Sequence, residues 1–186
     1  LQFAGLFKFD YMAMYPSRTL NLPIYPYVRF CYKDIPIDIF DSKTGNKISE
    51  YNDKSWTAGA GIGLLIANTG EIKAEYHHEW LNIDPNFSGF DPNYFPSWKD
   101  ALRVIRLSFN TDVLDNPVNP RSGLKIDAAY DISLKSLNSD QDYRLFTLET
   151  KVVFPITRKH SICFSGYYTD FSGNLPTYKF PAKGGP

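Results

Sequence analysis

The chain has 186 residues, of which 43% are hydrophobic and 16% aromatic, and its 20 Lys and Arg balance its 20 Asp and Glu. This length and apolar content suit one all-β domain, and the zero net charge gives no indication of a nucleic-acid partner. No apolar run approaches the roughly 20 residues that a spanning helix needs, so a role in a membrane would have to come from strands.

Eight segments alternate apolar and polar residues with the period of a β-strand. The predicted strands span residues 3–14, 24–40, 56–67, 72–82, 102–112, 124–134, 143–154 and 161–171, and residues 172–186 are predicted to begin a long loop. Tight links at 68–70 and 157–159 take turns with long ones at 41–54 and 84–100. Bacterial outer-membrane barrels have short periplasmic turns and long external loops, so this rhythm predicts antiparallel transmembrane β-barrel strands and their orientation.

The third strand places Gly59, Gly61 and Gly63 on one face, which predicts relief of crowding in a small barrel or room for an inserted loop. The fourth strand carries Glu75, His77 and Glu79 on one face, a set that suits a divalent metal. Residues two apart lie nearly 7 Å apart along a strand, so we expect a solvated row there and no cofactor.

The alternating residues of the fifth, sixth and seventh strands predict a lumen-facing surface and a lipid-facing surface. Their polar positions predict a hydrated lumen wall formed by Arg106, Asp127, Asp131, Glu149 and Lys151. Their apolar positions predict a lipid-facing wall that includes Phe109, Ile126, Tyr130 and Leu148. Aromatic residues near strand ends predict membrane-interface girdles formed by Tyr15, Tyr25, Tyr27, Trp56, Trp80, Tyr143, Phe154 and Phe171.

Alternation also occurs in soluble β-sandwiches, so a soluble binding module that uses the aromatic loop 84–100 stays open as an alternative. Charges of both signs in the middle of strands favour the barrel. Cys31 and Cys163 lie on non-neighbouring strands, so we expect two free thiols.

Two stretches carry a family resemblance. Residues 109–124 resemble the strand, Pro-containing turn and Gly-led strand of the outer-membrane barrels related to the barrel-assembly factor and bacterial surface antigens. The turn motif consists of Asp115, Asn116, Pro117, Pro120 and Gly123. The prolines block ladder hydrogen bonds and fix φ, and Gly123 permits the positive φ that restarts the next strand.

Residues 174–185 resemble the segment that opens this family's long inward-folding loop, with the motif Leu175, Pro176, Gly184 and Gly185. The resemblance implies that the eight strands lie in the middle of a sixteen-stranded barrel and that the chain is an internal fragment. It also implies that residues 84–100 lie outside the cell and residues 116–122 in the periplasm.

Within this superfamily the amino-acid sequence of these two stretches is most similar to that of barrels appended to patatin-like phospholipases. The resemblance implies a translocator or anchor in the bacterial outer membrane, with the lipid bilayer, an upstream domain and lipopolysaccharide as partners. The alternative is the barrel of an assembly or two-partner secretion factor. A patatin-like lipase needs a Gly-x-Ser-x-Gly elbow, which this sequence lacks, so we expect no enzymatic activity from this chain.

Overall fold

The computed structural model describes residues 7–14, 23–40, 47–66, 69–86, 97–157, 160–176 and 179. They form one antiparallel sheet of eight strands in which hydrogen-bonded neighbours are also neighbours in sequence. The strands are β1 (Phe7–Met14), β2 (Ile24–Phe40), β3 (Lys47–Ile66), β4 (Gly70–Pro85), β5 (Trp98–Asp112), β6 (Gly123–Ser133), β7 (Tyr143–Pro155) and β8 (Ser161–Gly173). A 3-10 turn, Lys135–Leu137, lies between β6 and β7. The predicted all-β antiparallel class is therefore confirmed.

The predicted long connection at 41–54 is wrong, because β3 begins at Lys47 rather than at residue 56. Tyr51 pairs with Pro85 of β4 and is buried, although the sequence around it is polar. The connection is thereby reduced to 41–46, which is shorter than the connection 113–122 at the opposite end of the strands. Loop length alone therefore does not give the orientation of the sheet.

The two faces of the sheet differ in burial and in chemistry. One face, here called the inner face, carries the buried side chains, such as Tyr27, Glu75 and Leu102. The other, the outer face, carries large apolar side chains that are exposed, such as Ile62 at 59% and Phe164 at 60%. The described strands form one sheet rather than the two packed sheets that the β-sandwich alternative requires.

The apolar band of the outer face runs obliquely across the hydrogen-bonded rows. Its first apolar side chains are Ile72 on β4 and Ile162 on β8. The row through Ile72 reaches β8 at Tyr168, six residues after Ile162. Six residues at about 3.3 Å each, set against four strand spacings of about 4.8 Å, give a tilt of roughly 45°. Strands that cross a bilayer have this tilt.

The glycine face of β3 holds two tyrosines that reach across it from β2. Tyr25 and Tyr27 pair with Gly63 and Gly61. A Cβ on Gly63 would lie 2.2 Å from Tyr25 Cζ, and one on Gly61 would lie 2.8 Å from Tyr27 Cζ. The tyrosine rings therefore occupy the space that β3 side chains would fill.

Each tyrosine hydroxyl ends on a carboxylate of β4. Tyr25 Oη donates to Glu71 at 2.5 Å, and Tyr27 Oη donates to Glu75 at 2.9 Å. The glycines thus leave room for tyrosine side chains of β2 to bind β4 across the intervening strand. This role is more specific than the predicted relief of crowding.

We expect Gly63→Ala to lower the free energy of unfolding by about 1–3 kcal/mol, because the new methyl must displace the Tyr25 ring. In a Tyr25→Ala background the same change should be neutral or stabilising, since the space is then empty and alanine restricts the unfolded chain. Urea unfolding from lipid vesicles, carried out on the four members of this double-mutant cycle, measures the coupling. Additive effects of the two changes would contradict the packing of the Tyr25 ring against Gly63.

Candidate functional site

On the inner face, charged side chains of three adjacent strands lie side by side at paired positions of the sheet. Glu75 pairs with Arg106, and Arg106 pairs with Asp131. The Arg106 guanidinium binds the Asp131 carboxylate through two parallel hydrogen bonds, Nε to Oδ1 and Nη2 to Oδ2, both at 2.6 Å. This bidentate geometry fixes the direction of both side chains.

The three metal-ligand candidates do not converge. His77 Nδ1 lies 2.9 Å from Glu75 Oε1, a contact that is a hydrogen bond when Nδ1 carries the proton. Glu79 instead receives a hydrogen bond from Lys179 Nζ at 2.5 Å. No group of three or more candidate ligands is present in the described part of the chain. The row therefore forms separate contacts within the protein.

All five residues predicted to line a lumen lie on the inner face. Asp127 accepts hydrogen bonds from Asn110 Nδ2 at 2.7 Å and lies 3.3 Å from Lys125 Nζ. Glu149 and Lys151 pair with Asp127 and Lys125, respectively, which places them on the same face. Of the five, Arg106, Asp127 and Glu149 line a concave space of about 400 Å³.

The other half of the inner face is apolar, which the sequence interpretation missed. A cluster of Leu81, Leu102, Val104, Tyr143 and Leu145 lies at the end of the sheet where β6 and β7 are joined. The signal that could have revealed it is the failure of alternation at Trp80-Leu81 and Ala101-Leu102, where both faces become apolar.

The aromatic residues predicted to form girdles divide between the two faces of the sheet. Trp56, Trp80 and Phe154 lie exposed on the outer face. Tyr25, Tyr27, Tyr143 and Phe171 lie on the inner face, so their prediction as girdle residues is wrong. Tyr15 lies outside the described residues. A period of two separates the faces but does not show which ring will find a partner on a neighbouring strand.

The segment after β8 folds onto the inner face at two points. Leu175 packs against the apolar cluster, and Lys179 binds Glu79. Between them, Lys179 N–H donates to the Pro176 carbonyl at 2.9 Å. Gly184 and Gly185 lie outside the described residues. The described part of the predicted loop opening therefore covers the apolar half of the inner face.

The Pro-containing turn is held by carboxylate and amide side chains. Asp115 Oδ1 accepts the backbone N–H groups of Arg121 at 2.8 Å and Ser122 at 3.2 Å. Asn116 Oδ1 accepts that of Val118 at 2.9 Å, with Pro117 between them in the chain. These two side chains satisfy N–H groups that the sheet cannot pair.

The same turn returns to the sheet through a glycine. Gly123 has a φ of 122°, as predicted, and a Cβ there would lie 2.2 Å from the Val113 carbonyl oxygen. Pro120 precedes this return and cannot donate to the ladder. On the strands, Cys31 is buried and Cys163 exposed, and both are free thiols, as predicted.

The comparisons with known proteins agree with this geometry. The family model of the Omp85 superfamily domain matches residues 25–178. The chain belongs to the Omp85 superfamily. Its fold is also similar to a crystal structure of BamA from Haemophilus ducreyi lacking POTRA domains 1-3, with a TM-score of 0.74 and 14% identity. That match covers 96% of this chain and 36% of the BamA chain, so this chain spans about a third of that protein's length.

No curated protein matches the chain by sequence. Among the described residues of this Omp85 chain, no helix is long and apolar enough to cross a membrane.

We expect Lys179→Ala to release the segment after β8, because it leaves the buried Glu79 carboxylate without its ion-pair partner at a cost of about 3 kcal/mol. The measurement is maleimide labelling of Leu175→Cys in a Cys31→Ser, Cys163→Ser background of the intact protein. Labelling should accelerate in the Lys179→Ala variant. The matched pair Glu79→Gln with Lys179→Gln removes both charges and should restore protection. Equal labelling of all variants would contradict the attachment.

The backbone hydrogen bonds from Arg121 and Ser122 lower the pKa of Asp115 below its ordinary value of 3.8. A carboxylate with a depressed folded pKa contributes stability above its unfolded pKa and loses it as the pH falls through the folded value. We therefore expect protection of the Arg121 and Ser122 amides from hydrogen exchange to persist below the ordinary Asp pKa of 3.8 and to be lost as the pH falls through the lowered pKa of Asp115. Asp115→Asn should abolish this dependence. Constant protection in the native turn would refute the assignment.

Proposed function

We propose that this chain is the membrane-embedded part of an Omp85 barrel in the bacterial outer membrane, where it acts as a translocator or anchor for a module upstream. The observation that carries the proposal is the difference between the two faces. Large apolar side chains remain exposed along the apolar band of the outer face, whereas paired charges occupy the inner face. Lipid on one side and water on the other accounts for both.

The proposed orientation places the connections 41–46, 86–97 and 134–142 outside the cell; this end of the sheet is called the loop end below. Two observations support it. β3 and β4 continue past the apolar band at this end, and the Asp115 turn, which resembles a periplasmic turn, lies at the opposite end. The eight strands would then form the middle of a sixteen-stranded barrel.

The inner face supports a lumen that is hydrated in one half and filled in the other. Arg106, Asp127, Asp131, Glu149 and Lys151 would line the hydrated half. The apolar cluster and Leu175 would close the half near the loop end. In this role the chain is not catalytic and binds no cofactor, and its partners are the bilayer, the upstream domain and lipopolysaccharide.

The upstream module is proposed to be a patatin-like phospholipase, because the sequences of residues 109–124 and 174–185 resemble those of barrels appended to such enzymes. An assembly factor or a two-partner secretion factor is the alternative, which the fold likeness to BamA favours. The sequence of the parent protein discriminates them. A Gly-x-Ser-x-Gly elbow upstream supports the lipase, because the strained turn exposes its nucleophile. Repeated periplasmic domains in its place would contradict the lipase.

Two neighbouring alanines of β6 provide a matched test of the faces. Ala128 pairs with Phe109 and Leu148 and lies on the outer face at the centre of the apolar band, whereas Ala129 lies on the inner face. We expect Ala128→Lys to destabilise the barrel by about 2–4 kcal/mol, because a lysine near the bilayer midplane faces hydrocarbon. Ala129→Lys should cost far less in a hydrated lumen. Urea unfolding from lipid vesicles measures both, and equal costs would overturn the proposal.

A further inference from the structure

On the outer face, β5 passes beyond the end of β6, and there the small Ala101 side chain lies between larger neighbours; this position is here called the Ala101 slot. β5 and β6 pair only from Val104 onward, so the backbone of Ala101 has no strand partner on that side. Asp140 takes the place of a strand, because its carboxylate accepts the Ala101 N–H at 2.6 Å and its own N–H donates to the Ala101 carbonyl at 3.1 Å. The small Ala101 side chain forms the floor of this slot.

An aromatic wall and two cations surround the alanine. Trp80 of β4 pairs with Ala101, is 45% exposed and stacks on His78 with ring centroids 3.8 Å apart. Lys99 and Arg103 lie two residues to either side of Ala101 and therefore on the same face. Arg103 Nη1 donates to the Asn138 carbonyl, which directs the guanidinium along the rim of the slot.

The carboxylates of this edge are already engaged. Asp140 binds the Ala101 backbone, Asp34 lies 4.0 Å from Lys54 Nζ, and Asp84 accepts a hydrogen bond from Asn82. No carboxylate within the described ranges forms a salt bridge with Lys99 or Arg103. Among the described residues, neither cation is therefore neutralised by an ion pair, and the nearby Asp140 carboxylate is held by the Ala101 backbone.

The opposite edge of the apolar band has a different chemistry. Its outer-face strand positions carry aliphatic and phenyl side chains and one threonine, and none of the described ones is Lys, Arg, Asp or Glu. They are Ile24, Ile66, Ile72, Thr111, Leu124, Phe154 and Ile162. Among the described residues, cations beside an exposed indole thus occur at one edge of the apolar band, which indicates contact with one leaflet.

We propose that the Ala101 slot binds a phosphate of lipopolysaccharide in the outer leaflet. This inference rests on the proposed orientation, which places the slot at the external interface. A tryptophan at head-group depth suits an amphiphile, and lysine and arginine are the side chains that bind phosphate. Two cations about 13 Å apart along the strand can approach one phosphorylated head group from both sides.

The test uses the intact protein in detergent, titrated with purified rough-type lipopolysaccharide or with phosphatidylglycerol, and follows thermal stabilisation. Lys99→Ala with Arg103→Ala should weaken lipopolysaccharide binding by roughly tenfold or more, since each basic residue at an anionic membrane surface contributes about fivefold. Ala101→Phe, which fills the slot and keeps both charges, should weaken it as well. The matched control, Lys125→Ala with Lys151→Ala, removes two inner-face charges and should have no effect.

Equal weakening by the control pair, or equal stabilisation by phosphatidylglycerol, would overturn the proposal in favour of a nonspecific response to anionic lipid. Unchanged binding by Ala101→Phe together with the double alanine variant would also overturn it. These outcomes leave the Ala128 and Ala129 comparison untouched. The slot can therefore fail while the membrane-embedded role stands, and failure of that comparison would remove the role itself.

Discussion

Backbone hydrogen bonding in an apolar medium is the constraint on which the rest of this structure depends. An unpaired N–H or C=O in hydrocarbon costs several kcal/mol, so a chain that crosses with strands must pair each strand continuously. β2 to β7 each pair with two neighbouring strands. Where pairing stops, at Ala101, a side chain and a backbone group of Asp140 replace it. Continuous pairing then fixes which side chains share a face.

The fold class could be predicted from sequence because the two faces differ in chemistry along the band. Apolar and polar residues therefore alternate along each strand. The prediction failed where strands leave the band. Around Tyr51 both faces carry polar residues such as Asn52 and Asp53, so alternation is lost and the residues look like a loop, although pairing with β2 and β4 continues. Near Leu81 and Leu102 alternation is lost for the opposite reason, because apolar packing occupies the inner face as well.

The arrangement of the inner wall could be predicted only in part. The alternation of polar and apolar positions within each strand was enough to place Arg106 and Asp131 on the polar face. This assignment needs no knowledge of the neighbouring strand. The direction of Tyr25 and Tyr27 depends on the glycines opposite them, and that pairing is a property of register. The contact between Lys179 and Glu79 joins residues 100 positions apart and has no local signal at all.

The two halves of the inner wall bear on the choice between an anchor and a translocator. An anchor requires nothing to move, and the apolar cluster covered by Leu175 then serves as ordinary packing. A translocator that passes a polar chain must expose this cluster to water or to cargo, and exposing one leucine side chain costs about 2 kcal/mol. The ion pair of Lys179 with Glu79 adds to that barrier, because separating it leaves a buried carboxylate alone. Passage through this half of the barrel would therefore require that the segment after β8 leave the wall as a unit, whereas the hydrated wall around Arg106 requires no such displacement.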